Sequence, residues 1–120
     1  MIEAETNAVG IQPLLNEVAQ RNVAVEERIA YPYLQAIAPM MGTEWPSRKD
    51  FFAAQFRDLS QNGFSFLLDS PPQFTQLAVE LGQEPCRYSF ICQVVNFTSE
   101  IVGQRKLYRI GCKFVKRMQS

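Results

Sequence analysis

The chain has 120 residues, with twelve basic side chains, twelve acidic side chains and no histidine. This length predicts a single domain with one hydrophobic core, and the zero net charge argues against general binding of DNA or RNA. No apolar run approaches the roughly 18 residues that a membrane span requires, and the acidic N-terminus lacks the regions of a signal peptide. We therefore expect a cytoplasmic protein without membrane association.

Residues suited to catalysis or metal binding are few. The absence of histidine removes Ser–His and Cys–His catalytic pairs and argues against a conventional zinc enzyme. The cysteines Cys86, Cys92 and Cys112 have no metal-ligand spacing. Because Cys92 and Cys112 lie in apolar strand patterns, we expect buried thiols rather than a disulfide. The sequence predicts no enzymatic activity, no metal and no cofactor.

The first 27 residues are predicted to form a tail and one amphipathic helix. From about Gln12 to Val25 the apolar residues recur at helical spacing, and Pro13 suits a first turn. The helix either packs on the body of the domain or binds a partner protein or a second copy of the chain. The apolar positions are Ile11, Leu14, Leu15 and Val18.

Residues 28–120 are predicted to form a separate unit, a small antiparallel β-barrel with turns at regular spacing. Two prolines restrict residues 29–40 to an extended or edge-strand conformation. Phe52, Ala54 and Phe56 alternate with polar or small residues, as expected of a half-buried strand over 51–57. The remaining predicted strands are 64–68, 77–81, 87–97 and 107–115, with a turn at about 98–104 between the last two.

Residues 58–63, Asp-Leu-Ser-Gln-Asn-Gly, are predicted to form a turn and are the most distinctive polar segment of the chain. Asp58 and Ser60 can hydrogen-bond nearby backbone N–H groups, and Gly63 is expected to permit a positive φ where the chain reverses. Such a turn exposes a carboxylate, a hydroxyl and backbone amides to a polar ligand. The same residues also suit a hairpin turn with no further role.

Basic residues are concentrated in the last sixteen positions, which contain no acid. Within the predicted final strand, Arg109 and Lys113 alternate with apolar residues and are expected to face outward. The basic stretch is either a solvated outer face or a surface for an anion or a partner. Its members are Arg105, Lys106, Arg109, Lys113, Lys116 and Arg117.

Residues 58–63 resemble the Asp/Asn-x-Ser-x-x-Gly signature of PilZ domains, with Asp58, Ser60 and Gly63 at the matching positions. The final strand, 108–114, is similar to the last strand of PilZ barrels in its basic and aromatic residues and its late glycine. The resemblance covers about residues 28–117. It implies a six-stranded antiparallel β-barrel that binds the bacterial second messenger cyclic di-GMP as a non-catalytic signalling module.

In PilZ domains an Arg-x-x-x-Arg motif precedes the first strand and clamps guanine and phosphate. Arg28 lies in the corresponding region, but Pro32 and Ala24 occupy the positions four residues after and before it. The resemblance therefore implies a ligand site of Arg28, Asp58, Ser60 and Gly63, with one arginine of the motif missing. The candidates to replace it are Arg21, Arg57, Arg48 and Lys49.

Two alternative functions follow from this resemblance. The first is binding of cyclic di-GMP, with Arg28 on phosphate or guanine, Asp58 on guanine N–H groups and Ser60 on phosphate. The second is a degenerate PilZ-like domain that binds no nucleotide and acts as a protein–protein adaptor, through the apolar positions of the N-terminal helix. An enzyme is disfavoured, because Asp58 and Asp69 lie eleven positions apart, with a predicted strand between their carboxylates.

Overall fold

The computed structural model describes residues 28–84 and 86–118. The predicted N-terminal tail and helix, residues 1–27, lie outside these ranges. Within the described ranges, no helical segment has the length and hydropathy needed to cross a lipid bilayer.

The described chain folds into a closed antiparallel barrel. Around it, the strands follow the order β3-β2-β5-β6-β7-β4, and β4 pairs back with β3. β1 pairs with the end of β3 beyond β2, so β1 and β2 are two parts of one first strand. This confirms the predicted six-stranded antiparallel barrel. The elements are β1 (Ile29–Ala30), β2 (Leu34–Pro39), a 3-10 helix (Arg48–Asp50), β3 (Phe52–Leu59), β4 (Gly63–Leu68), β5 (Gln76–Gln83), β6 (Cys86–Val102) and β7 (Arg105–Met118).

Residues 29–40 are largely extended, as predicted, but the edge-strand alternative does not hold for β2. β2 pairs with β3 on one side and with β5 on the other, because the barrel closes around it, whereas β1 pairs with β3 alone among the described residues. Pro32 lies in the break between β1 and β2, and Pro39 is the last residue of β2. Neither proline removes a hydrogen-bond donor from the middle of the ladder.

Aromatic rings from four strands fill the barrel. Phe56 of β3 stacks on Phe64 and Phe66 of β4, with ring centroids 5.1 and 5.4 Å apart. Phe64 contacts Phe114 of β7 at 5.3 Å, and Phe114 contacts Phe90 of β6 at 4.6 Å. The rings of β3, β4, β6 and β7 therefore share the interior of the barrel.

β3 departs from simple alternation at both ends. Phe52 is exposed, contrary to the prediction that it shares the buried face of Phe56. A β-bulge follows Phe56, so that Arg57 and Asp58 both face outward before Leu59 returns to the core. Asp58 is thus a strand residue and not a turn residue, and the bulge decides which way its side chain points.

The β6–β7 hairpin is longer than predicted. Residues 98–102 continue β6, and the turn is limited to positions 103 and 104. β5 pairs with β6 only as far as Gln93, and β4 pairs with β7 only as far as Tyr108. Beyond these points the hairpin continues as a two-stranded ribbon, whose last pair is Val102 with Arg105.

Candidate functional site

A row of paired residues across the sheet sets the surroundings of Asp58. Asp58 lies opposite Ala30 of β1 and Ser65 of β4. Ser65 lies opposite Gly111 of β7, which in turn lies opposite Asn96 of β6. Directly paired residues point to the same face of a sheet, so the carboxylate lies among small side chains on the outer face.

The Asp58 carboxylate binds two guanidinium groups. Nη1 of Arg28 donates to Oδ1 at 2.6 Å, and Nη2 of Arg109 donates to Oδ2 at 2.5 Å. Nε of Arg109 also donates to the Ser65 hydroxyl at 3.3 Å. Each arginine stands two residues before a member of the paired row, so the two side chains approach Asp58 diagonally from opposite sides.

A cleft of about 410 Å³ adjoins this group. Its small lining residues leave space above the sheet, whereas its cationic lining residues make it attractive to an anion. The Asp58 side chain is only 13% exposed, whereas those of Arg28 and Arg109 are 50% and 41% exposed. Among the lining residues, the small ones are Gly63, Ser65 and Gly111, and the cationic ones are Arg28, Arg109 and Lys113.

Ser60 is buried within the turn that joins β3 to β4. Its hydroxyl accepts hydrogen bonds from the backbone N–H groups of Asn62 and Gly63 at 3.3 and 3.2 Å, and it donates to the Gly63 carbonyl at 3.3 Å. The Ser60 backbone N–H donates to the same carbonyl at 2.8 Å. The hydroxyl therefore shapes the turn, while Asn62 and Gly63 line the cleft.

Gly63 is required for a different reason from the expected one. The positive φ angles among the described residues belong to other glycines, so the prediction for Gly63 is wrong. A Cβ atom at Gly63 would instead lie 2.0 Å from the Cys112 carbonyl oxygen. Close approach of two paired strands, rather than chain reversal, demands glycine here.

The arginines that the sequence offered as replacements lie elsewhere. Arg57 donates from Nη1 to Oε2 of Glu100 at 3.1 Å, and Arg48 forms two hydrogen bonds with Glu80. Lys49 is not a lining residue of the cleft. Arg21 lies outside the described residues.

Arg109 supplies the second guanidinium group, and the sequence analysis did not assign it to the site. Its outward orientation in β7 was predicted correctly. Its distance of 51 positions from Asp58 concealed the contact, because only the pairing of β7 with β4, and of β4 with β3, brings the two together.

No protein-family model matches the chain, and no curated protein matches it by sequence. Among solved structures, it is similar to the PilZ domain with c-di-GMP of YcgR from Escherichia coli, with a TM-score of 0.51 and 18% sequence identity. The match covers 78% of this chain and 79% of that chain. The resemblance seen in the sequence is thereby confirmed at the level of architecture: the chain has a PilZ-like fold.

Proposed function

We propose that this chain is a non-catalytic bacterial signalling module that binds cyclic di-GMP in the cleft beside Asp58. The observation that carries the proposal is the convergence of Arg28 and Arg109 on one carboxylate, with Lys113 lining the same cleft. The similarity in fold to a PilZ domain solved with c-di-GMP supports the choice of ligand.

The two arginines have the chemistry that a cyclic dinucleotide requires. A guanidinium group pairs bidentately with a phosphate or with the edge of a guanine, and it stacks on a base. Each arginine carries five N–H donors, and the contacts to Asp58 and Ser65 use only part of them. Arg109 takes the place of the arginine that is missing from the motif around Arg28.

Asp58 has two roles in this proposal. Its carboxylate holds both guanidinium groups in position, and a carboxylate offers about four acceptor sites, so it can also accept from guanine N–H groups. Ser60 and Gly63 act indirectly, because the first closes the turn and the second lets β4 approach β7. The cleft volume of about 410 Å³ lies within the range of about 300–1,000 Å³ that is usual for small-molecule sites.

Calorimetric titration of the purified chain with cyclic di-GMP, at near-physiological salt, tests the proposal. Removing one charge-assisted bidentate contact costs about 2–3 kcal/mol, or roughly 30–150-fold in Kd. We expect losses of this size for Arg28→Ala and for Arg109→Ala. Arg57→Ala is the matched control, because Arg57 pairs with Glu100, and its Kd should stay within about twofold of the unaltered chain.

Titrations with cyclic di-AMP and with GMP distinguish recognition of cyclic di-GMP from general binding of anions. Equal affinity for all three would contradict a guanine-reading role of Asp58. If well-folded protein gives no heat with cyclic di-GMP, the proposal is wrong and the adaptor function becomes the better explanation of the fold. Unchanged affinity in both arginine variants would move the site away from this cleft.

A further inference from the structure

The outer part of β6 has one open edge. The Val94 N–H donates to the Thr75 carbonyl at 2.9 Å, and this is the last contact that β6 is seen to make toward β5. From Asn96 to Val102, β6 pairs with β7 alone among the described residues, and Val95 is the extra residue of a β-bulge. Eight residues of strand present about 27 Å of edge. We call this stretch, residues 95–102, the open edge.

The open edge carries few of the devices that normally protect an unpaired strand. It contains no proline, lysine or arginine, and its protection is limited to the β-bulge at Val95 and to Glu100, which Arg57 holds. Val95 is 58% exposed and Ile101 is 70% exposed, while Phe97 is also exposed. A long edge with exposed apolar side chains is a template for association with another chain segment.

The described chain begins at Arg28, which lies beside the open edge. Arg28 lines the same cleft as Val95, Asn96 and Thr98, so residues 1–27 join the barrel beside the open edge. Nine residues separate Val18 from Arg28. With the predicted helix continuing to Val25 at about 1.5 Å per residue and the last three steps extended at roughly 3.3 Å each, this length spans about 20 Å. Val18 can therefore reach most of the open edge from the position of Arg28.

The distribution of charge also favours residues 1–27 as the segment that covers the open edge. Residues 1–27 contain five glutamates and one arginine, a formal charge of −4, and because the whole chain is neutral the rest carries +4. Three basic residues of β7, Arg105, Lys106 and Arg109, lie opposite the open edge. Arg105 and Arg109 also pair with Asp69 and Asp58, so Lys106 offers the main cation to this segment. An acidic segment with an apolar stripe complements an apolar edge beside a basic strand.

We propose that residues 1–27 of the same molecule cover the open edge of β6, with Leu14, Leu15 and Val18 against Val95, Phe97 and Ile101. The cover is intramolecular, because the segment is attached next to the edge and its effective concentration there is in the millimolar range for a short linker. The observations that carry this proposal do not include a ligand, but Val95 also lines the cleft proposed for cyclic di-GMP, so the test is made without nucleotide.

Amide hydrogen exchange on the full chain tests the cover. We expect the amides of 95–102 to be protected in the unaltered chain. A triple variant, Leu14→Ser with Leu15→Ser and Val18→Ser, should lower that protection by about tenfold or more. The control triple variant, Ile2→Ser with Ala4→Ser and Val9→Ser, should leave it unchanged. The amides of β4 inside the barrel report in both variants that the fold is intact.

Three results would overturn the proposal. Unprotected amides over 95–102 in the unaltered chain would mean that the segment does not cover the edge. A molar mass that rises with protein concentration in light scattering, together with protection that falls on dilution, would assign the edge to a second copy of the chain. Equal protection in the two triple variants would equally exclude the apolar stripe as the cover.

Discussion

At the scale of single residues, backbone proximity explains Gly63 better than turn geometry does. It begins β4 and lies opposite Lys113 of β7, and its Cα approaches the neighbouring strand so closely that a Cβ atom would overlap the Cys112 carbonyl. The turn itself is held by Ser60, whose hydroxyl satisfies two backbone N–H groups. The two signature positions thus have separate structural tasks.

Gly63→Ala should be strongly destabilising, because the obstructing atom is a backbone oxygen that can move only with its strand. We expect a loss of about 3 kcal/mol in the free energy of unfolding, the upper part of the range for overpacking, measured by urea denaturation. Gly103→Asn is the control. Gly103 has a φ of 65° in open space, a conformation that asparagine tolerates. Equal losses in the two variants would refute the steric explanation.

At the scale of elements, the β6–β7 hairpin brings two buried thiols close together. Cys92 and Cys112 are free and buried, as the sequence predicted, whereas Cys86 is free and exposed. Burial raises the pKa of Cys112 to about 12. Burial, and secondarily the charge of Cys112, raises the pKa of Cys92 well above its usual value. Both thiols therefore stay protonated in the folded chain at pH values where they ionise in the unfolded chain.

This difference predicts a loss of stability at alkaline pH. The contribution of the thiols is fully present below the unfolded pKa of about 8.5, and it is lost as the pH rises toward the folded value of about 12. In that window each thiol lowers the free energy of unfolding by at most about 1.4 kcal/mol per pH unit. Urea titrations at pH 8 and pH 10 measure the slope.

Cys112→Ala serves as the comparison for the thiol prediction. It lowers stability at both pH values because it leaves a small cavity, but its slope with pH should be shallower by one thiol's contribution. Tyrosines and lysines titrate in the same range and are common to both chains, so only the difference in slope is informative. An identical slope would show that Cys112 ionises as readily in the folded chain as in the unfolded one.

At the scale of the whole molecule, a ring cluster from four strands holds the barrel closed. Phe56 is fully buried and stacks on both phenylalanines of β4. Phe52 lies on the same strand but is 44% exposed. Removing the Phe56 ring should therefore weaken the closure between β3 and β4, whereas removing the Phe52 ring should have little effect.

Phe56→Ala should reduce the free energy of unfolding by about 3–5 kcal/mol. Phe52→Ala should reduce it by less than about 1 kcal/mol, as usual for surface positions. Thermal and urea unfolding of both variants provide the comparison. A large loss in the Phe52 variant, or a small one in the Phe56 variant, would contradict the inward direction that the structure gives to β3.

Much of this molecule follows from local sequence. Phe64 and Phe66 alternate with Ser65, and Ile110 and Cys112 alternate with Gly111. This pattern predicts which face of β4 and β7 is buried, because side chains alternate with a period of two along any strand. The outward direction of Arg109 follows from the same rule. The signature over 58–63 predicts a turn between two strands, and the number of strands predicts a closed barrel.

The tertiary structure decided where the polar residues meet. The bulge at Arg57 reverses the side on which Asp58 lies, and a bulge depends on the pairing partner as much as on the bulged strand. The contact of Asp58 with Arg109 depends on two ladders that join residues 51 positions apart. Sequence alone therefore determined the barrel and its buried faces, since these are local properties. Which arginine completes the site, and how far β6 extends, depended on long-range strand register.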